Sequence, residues 1–220
     1  MNRTTIRAAS RVPHEAVEGN QVIGDTGVIA ITGWLDDTKN GSACSGDDAI
    51  AIAGPSGRAE VSRYGVAIAR QGGQAFSGPS GGSFATEGGK AVAGNGGGSI
   101  IQGDGEASAG EWSIAFVHHR GMATAGPKAV AFAGSGCAAA GDYGIASLLW
   151  RGRVSSGRQG ISVVWGFEDR PSVIPDEPTT FRTGEGGIAV GFCEDRNGER
   201  VTVVGYAGRG LKIQDGLEPG

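Results

Sequence analysis

Glycine recurs every eight residues through the middle of this chain, at Gly57, Gly65, Gly73, Gly81, Gly89, Gly97 and Gly105. Ser113 takes the next slot, followed by Gly121 and Ala129. After one missing residue, near Gly134 and Ser135, the series resumes at Gly136, Gly144, Gly152 and Gly160. A period held this long dictates a repeat architecture, in which each unit is stable only against its neighbours.

The units are of two kinds, and they alternate. One reads Gln74-Ala75-Phe76-Ser77-Gly78, Lys90-Ala91-Val92-Ala93-Gly94 and Glu106-Ala107-Ser108-Ala109-Gly110. The other reads Val66-Ala67-Ile68-Ala69, Ile114-Ala115-Phe116-Val117 and Val130-Ala131-Phe132-Ala133. Each has about five residues of alternating pattern, the length and period of a short strand. The rest must turn a corner, and Pro55, Pro79, Asn95, Pro127 and Asp142 follow a recurrent glycine there, which is turn chemistry. The reading is all-β: a β-solenoid of about 16 residues per coil, two strands per coil, with coils about 4.8 Å apart.

Period two assigns the faces. In the first kind of unit the small residues, such as Ala75, Ser77, Ala91 and Ala93, are expected inside and the polar ones outside. In the second kind, large residues such as Val66, Ile68, Ile114 and Phe116 are expected to point inward, meeting small ones across a narrow core. The outward face would then be flat and made of Ala67, Ser83, Ser99, Ala115 and Ala131, beside Ala69, Ala85, Ile101, Val117 and Ala133. Together with Trp112 and Trp150 these are the candidate partner-binding residues, since broad apolar patches mark interfaces. The opposite phase would expose a Val/Ile/Phe ladder equally in need of cover.

Composition agrees with a thin core. Glycine supplies 43 of 220 residues, while aromatics are 6%. The net charge of −4, with scattered Lys and Arg, points away from nucleic acid. Three widely spaced cysteines, Cys44, Cys137 and Cys193, are not a disulfide framework. The N-terminus is basic with no apolar run behind it, so no secretory signal and no membrane segment are expected. A cytoplasmic location follows, or a virion if the chain is phage-encoded.

Residues 1–45 read as an irregular first coil and cap, and residues 46–167 as the solenoid. Residues 168–186, with Pro171, Pro175 and Pro178, read as a linker. Residues 187–220 read as a capping β-hairpin, with Asn197-Gly198 at its turn between apolar strands. No helix is expected.

Across about half the chain the paired units resemble the head repeats of trimeric autotransporter adhesins (YadA-like). Gly65-Val66-Ala67-Ile68-Ala69 followed by Gln74-Ala75-Phe76-Ser77-Gly78 carries the likeness, as does Ala129-Val130-Ala131-Phe132-Ala133 followed by Cys137-Ala138-Ala139-Ala140-Gly141. The resemblance implies left-handed rolls that trimerise through one flat face. The plan is also similar to that of small uncharacterised phage and bacterial proteins carrying such repeats.

Catalytic chemistry finds little footing. His118 and His119 are neighbours on a strand, expected on opposite faces, where they cannot easily share a metal. His14 stands alone. Asp36-Asp37 and Asp47-Asp48 lack the periodic array of calcium-binding rolls. Gly94-Asn95-Gly96-Gly97-Gly98 lacks the Lys-Ser/Thr and helix of a phosphate loop. Ser56 and Ser80 follow Gly-Pro pairs, which a turn explains, and no nucleophile elbow is present. No cofactor, metal or small-molecule substrate is expected. The expected function is non-enzymatic protein binding, for example neutralising a toxin or a defence factor. The alternative is a structural, virion or adhesin-like module that homo-oligomerises, as a trimer for instance. A carbohydrate-active parallel β-helix is the remaining possibility, though such enzymes use wider coils with clustered carboxylates.

Overall fold

The computed structural model describes residues 5–8, 14–16, 21–24, 29–32, 41–150, 152–165, 180–194, 200–207 and 212–214. These form a β-solenoid, with no helix among the described residues. Strands pair in parallel with the equivalent strand one coil on, in two ladders. In the first, Gln74 lies beside Lys90, Lys90 beside Glu106 and Glu106 beside Met122. In the second, Val66 lies beside Gly82, Gly82 beside Gly98 and Gly98 beside Ile114. Two strands per 16-residue coil is thus the architecture. The strands Ile114–Ala125 and Val130–Ala140 run continuously round a corner and contribute to both ladders.

The corner leading from the first ladder to the second is sealed by backbone. The amides of Gly78, Gly94, Gly126, Gly141 and Gly157 each donate to the carbonyl one coil back, for instance Gly126 N to Gly110 O at 3.1 Å. A Cβ on Gly126 would sit 2.8 Å from the Gly110 carbonyl carbon, so only glycine lets the coils close up here. Two residues later the chain turns through the left-handed region. Asp48, Tyr64, Ser80, Trp112, Lys128, Tyr143 and Gln159 all have φ between 51° and 58°.

The spacing across that corner is eight residues in every described coil. The spacing from Ser42 to Ile50, Arg58 to Val66 and Arg153 to Ile161 is the same as from Thr180 to Ile188. The opposite corner varies. Ile29 to Ser42 is 13 residues, Val130 to Cys137 is 7 and Ile161 to Thr180 is 19, against 8 elsewhere. Every irregularity of the repeat is therefore confined to one edge, and the ladders resume register after each.

The ends are more regular than expected. Thr5–Ala8 and Gln21–Gly24 extend the first ladder, and His14–Ala16 and Ile29–Thr32 the second, so the segment before residue 46 contributes rungs. Within the segment read as a linker, Thr180–Thr183 is a rung paired with Gly152–Ser156, while residues 168–179 lie outside the described residues. Gly187–Glu194 is the last parallel rung of the second ladder and pairs antiparallel with Arg200–Ala207. Its turn, with Asn197-Gly198, is outside the described residues. Lys212–Gln214 likewise pairs antiparallel with Thr180–Thr183. Both ladders thus end against an antiparallel strand.

The core is built from alanine. Ala75, Ala91, Ala107, Ala123 and Ala138 of the first ladder are buried, as expected. The second ladder has the opposite phase to the expected one. Ala67, Ala69, Ser83, Ala85, Ser99, Ile101, Ala115, Val117, Ala131 and Ala133 point inward and are at most 2% exposed. The cause is the thinness of the coil. A Cβ on the first residue of a unit would lie 3.0 Å from Ala69 Cβ at Gly73, and 3.0 Å from Ala85 Cβ at Gly89. The inward positions are mostly Ala, Ser and Gly, with Ile101, Val117, Leu148 and Val154 among the few larger ones, so the core stays thin and the bulkier alternate set goes outside. The core thickens toward the C-terminal end, where Phe181 reaches across to Gly191, filling the space above a residue with no side chain.

Candidate functional site: an apolar outer face

The two ladders present opposite chemistries to their surroundings. The first is polar outside. Arg58 donates to Glu60 Oε2 through Nε and Nη2 at 3.2 and 3.0 Å, and its guanidinium lies 4.1 Å from the Phe76 ring centre. Lys90 pairs with Glu106 on the next rung at 3.2 Å. Such pairs hold a hydrated surface at little energetic gain.

The second ladder is apolar outside. One outward column runs Ile50, Val66, Gly82, Gly98, Ile114, Val130, Ile145, Ile161 and Ile188 in direct register. The other, two residues along, runs Ile52, Ile68, Phe84, Ile100, Phe116, Phe132, Ser147, Val163 and Val190. Over these nine rungs neither column holds a charge. Stacked neighbours shield one another, yet Ile114 remains 54% exposed and Ile100 43%. The rings of Phe116 and Phe132 stack at 5.0 Å and 6°. Nine rungs about 4.8 Å apart make a face about 40 Å long. Parallel sheets normally have both faces covered, and here one is bare.

Tryptophans and tyrosines edge this face. Tyr64, Trp112 and Tyr143 share one corner column, all in the left-handed conformation, with Trp112 66% exposed. Lys128 Nζ sits 4.9 Å from the Trp112 ring centre. Trp150 lies on the far edge, where a Cβ on Gly134 would approach its ring to 3.0 Å. Trp165 donates from Nε1 to Ser147 Oγ at 3.2 Å. Of the residues singled out from sequence, then, the two tryptophans lie at the surface. The ten from the second ladder form the wall beneath it and are unavailable to a partner while the coils are intact. Parity groups the small residues without saying which side is in. Gly65, Ala67 and Ala69 fall on one side of the strand, just as Gly73, Ala75 and Ser77 do in the ladder read correctly.

The remaining candidates fall to structural roles. His118 and His119 do not lie on opposite faces. They sit side by side, ring centres 4.4 Å apart, because a register shift between Val117 and Arg120 breaks the strand alternation there. Among the described residues no three His, Cys, Asp or Glu side chains gather as a metal site. Asp47 Oδ1 accepts from Arg63 N at 2.9 Å, a rung-to-rung corner bond. Ser56 and Ser80 occupy left-handed turn positions. Cys44 and Cys137 are half-buried free thiols. The side chains of His14 and Cys193, and Asp36-Asp37, lie outside the described residues.

Comparison with protein-family models, with curated proteins and with solved structures finds no match.

Proposed function

We propose that this chain is a non-enzymatic structural module that self-associates through the outer face of its second ladder. The observation that carries the reading is the uncharged double column of Ile, Val and Phe along nine rungs. Water contact with so long an apolar strip is unfavourable in proportion to its area. A face about 40 Å long and two side-chain columns wide approaches the lower end of the area that specific protein interfaces bury. The repeats' likeness to adhesin heads supports the same reading, because rolls of that kind associate through a flat face.

A second copy is the favoured occupant because the face repeats itself at every rung. Two such surfaces offer ridges and grooves of one spacing. The polar first ladder stays hydrated outside the assembly.

The test is the mass in solution by light scattering. A stable multiple of 22.1 kDa is expected, and Ile114→Glu, which sets a charge in the middle of the strip, should shift it to the monomer with an unchanged β spectrum. A wild-type monomer at working concentrations overturns the reading and passes the face to a different protein, to be sought as a stoichiometric complex.

A further inference from the structure

Gly82 and Gly98 are out of place in their column. Every other described rung carries Ile or Val there, from Ile50 to Ile188. Most of the described glycines have a backbone reason, a positive φ or a close approach of neighbouring backbone. These two have neither. Their φ values are not positive, and a Cβ on either would meet nothing within 4 Å. Glycine inside a strand weakens it, and it often marks a site where another group comes close. The missing side chains leave a recess two rungs tall, with Val66 and Ile114 on the rungs beyond and Phe84 and Ile100 in the adjoining column.

Resting on the self-association proposed above, we infer that this recess is a socket. A second copy packs parallel and in register, and Phe84 of each copy enters the space over Gly82 of the other. The geometry follows from symmetry. Rotation about an axis parallel to the solenoid sets the first outward column of one copy against the second column of its partner, rung for rung. Gly82 then faces Phe84 and Gly98 faces Ile100. One register thus accounts for both glycines, as knobs and holes do in a packed interface.

The experiment is a swap. Gly82→Phe fills the socket and should weaken association by about tenfold or more, the scale of a hot-spot side chain. Gly82→Phe combined with Phe84→Gly rebuilds the pair with knob and hole exchanged, and should restore association. Gly98→Val, a smaller change into open space, serves as a second probe and should also weaken it. Circular dichroism and thermal melts confirm the fold of each. An oligomeric wild type that tolerates Gly82→Phe and Gly98→Val overturns the socket and leaves self-association standing. Loss on Gly82→Phe without rescue by the swap overturns the parallel register. A monomeric wild type overturns both readings.

Discussion

Asp142 shows how a single side chain fastens one coil to the next. Its Oδ1 accepts from Arg158 N at 2.8 Å and its Oδ2 from the Arg158 guanidinium at 2.6 and 3.0 Å. The Arg158 hydrogen bonds hold the Asp142 carboxyl below its usual range. A carboxyl lowered by folding contributes stability that is present above its unfolded pKa and is lost as pH falls through its folded one. Asn95 makes the same backbone bond to Glu111 N at 2.9 Å without a charge. Asp142→Asn therefore keeps the corner bond and removes only the ion pair. The variant should melt slightly below wild type at neutral pH, and the gap should close below about pH 4. Both groups are solvent-exposed, so the gap should also shrink in salt. A gap independent of pH would mean that the backbone bond, not the charge, is what matters. The turn chemistry of this corner was legible from the glycine and the Pro, Asn or Asp after it. The left-handed aromatics Tyr64, Trp112 and Tyr143 were not, because bulky residues avoid positive φ and only the fixed corner geometry imposes it.

At the scale of the strand, the sequence determines parity but leaves open which side is in. Val66-Ala67-Ile68-Ala69 alternates cleanly, and either set could face a core. Hydrophobicity favours the large set, and coil thickness decides for the small one. Tight corners hold the coil thin, a constraint that belongs to the assembled coil and to no single strand. The polar exceptions inside test this core. Ser83 and Ser99 lie side by side on adjacent rungs, buried, with no hydrogen-bond partner for either hydroxyl. An unsatisfied buried hydroxyl costs about 1–3 kcal/mol. Ser99→Ala fits the space and should raise the melting temperature by roughly 2–4 °C for each kcal/mol relieved. A drop in a calorimetric scan would show that the hydroxyl is bonded after all.

For the whole molecule the hazard is the open end of a ladder, which offers unpaired amides and carbonyls to any other strand. Here the last rungs, Thr180–Thr183 and Gly187–Glu194, are each covered by a strand running the other way. An antiparallel strand presents a different pattern of donors and acceptors outward, and a further parallel coil does not match it. Truncation after residue 199 removes both covers. It should produce species that grow with concentration in sedimentation velocity, beyond the size set by the apolar face. A truncated chain that sediments like the full one would assign the capping role elsewhere. The hairpin itself was legible from two apolar runs around Asn197-Gly198. The cover on the first ladder was not, since Lys212–Gln214 is too short to stand out in the sequence.

The two edges of the solenoid have different freedoms. At the edge sealed by stacked glycine backbone, length is locked at eight residues, and a single insertion would throw every later rung onto the wrong face. At the other, the chain has shed one residue, gained five and gained eleven, and returned to register each time. That edge behaves as a margin on which text can be written without disturbing the lines. New loops, and with them new specificities, can accumulate along it while the ladder beneath stays the same. A peptide grafted at Glu87–Gly88 or Gly103–Asp104 would be held at a height set by the rung it leaves, so several grafts would stand at multiples of about 4.8 Å.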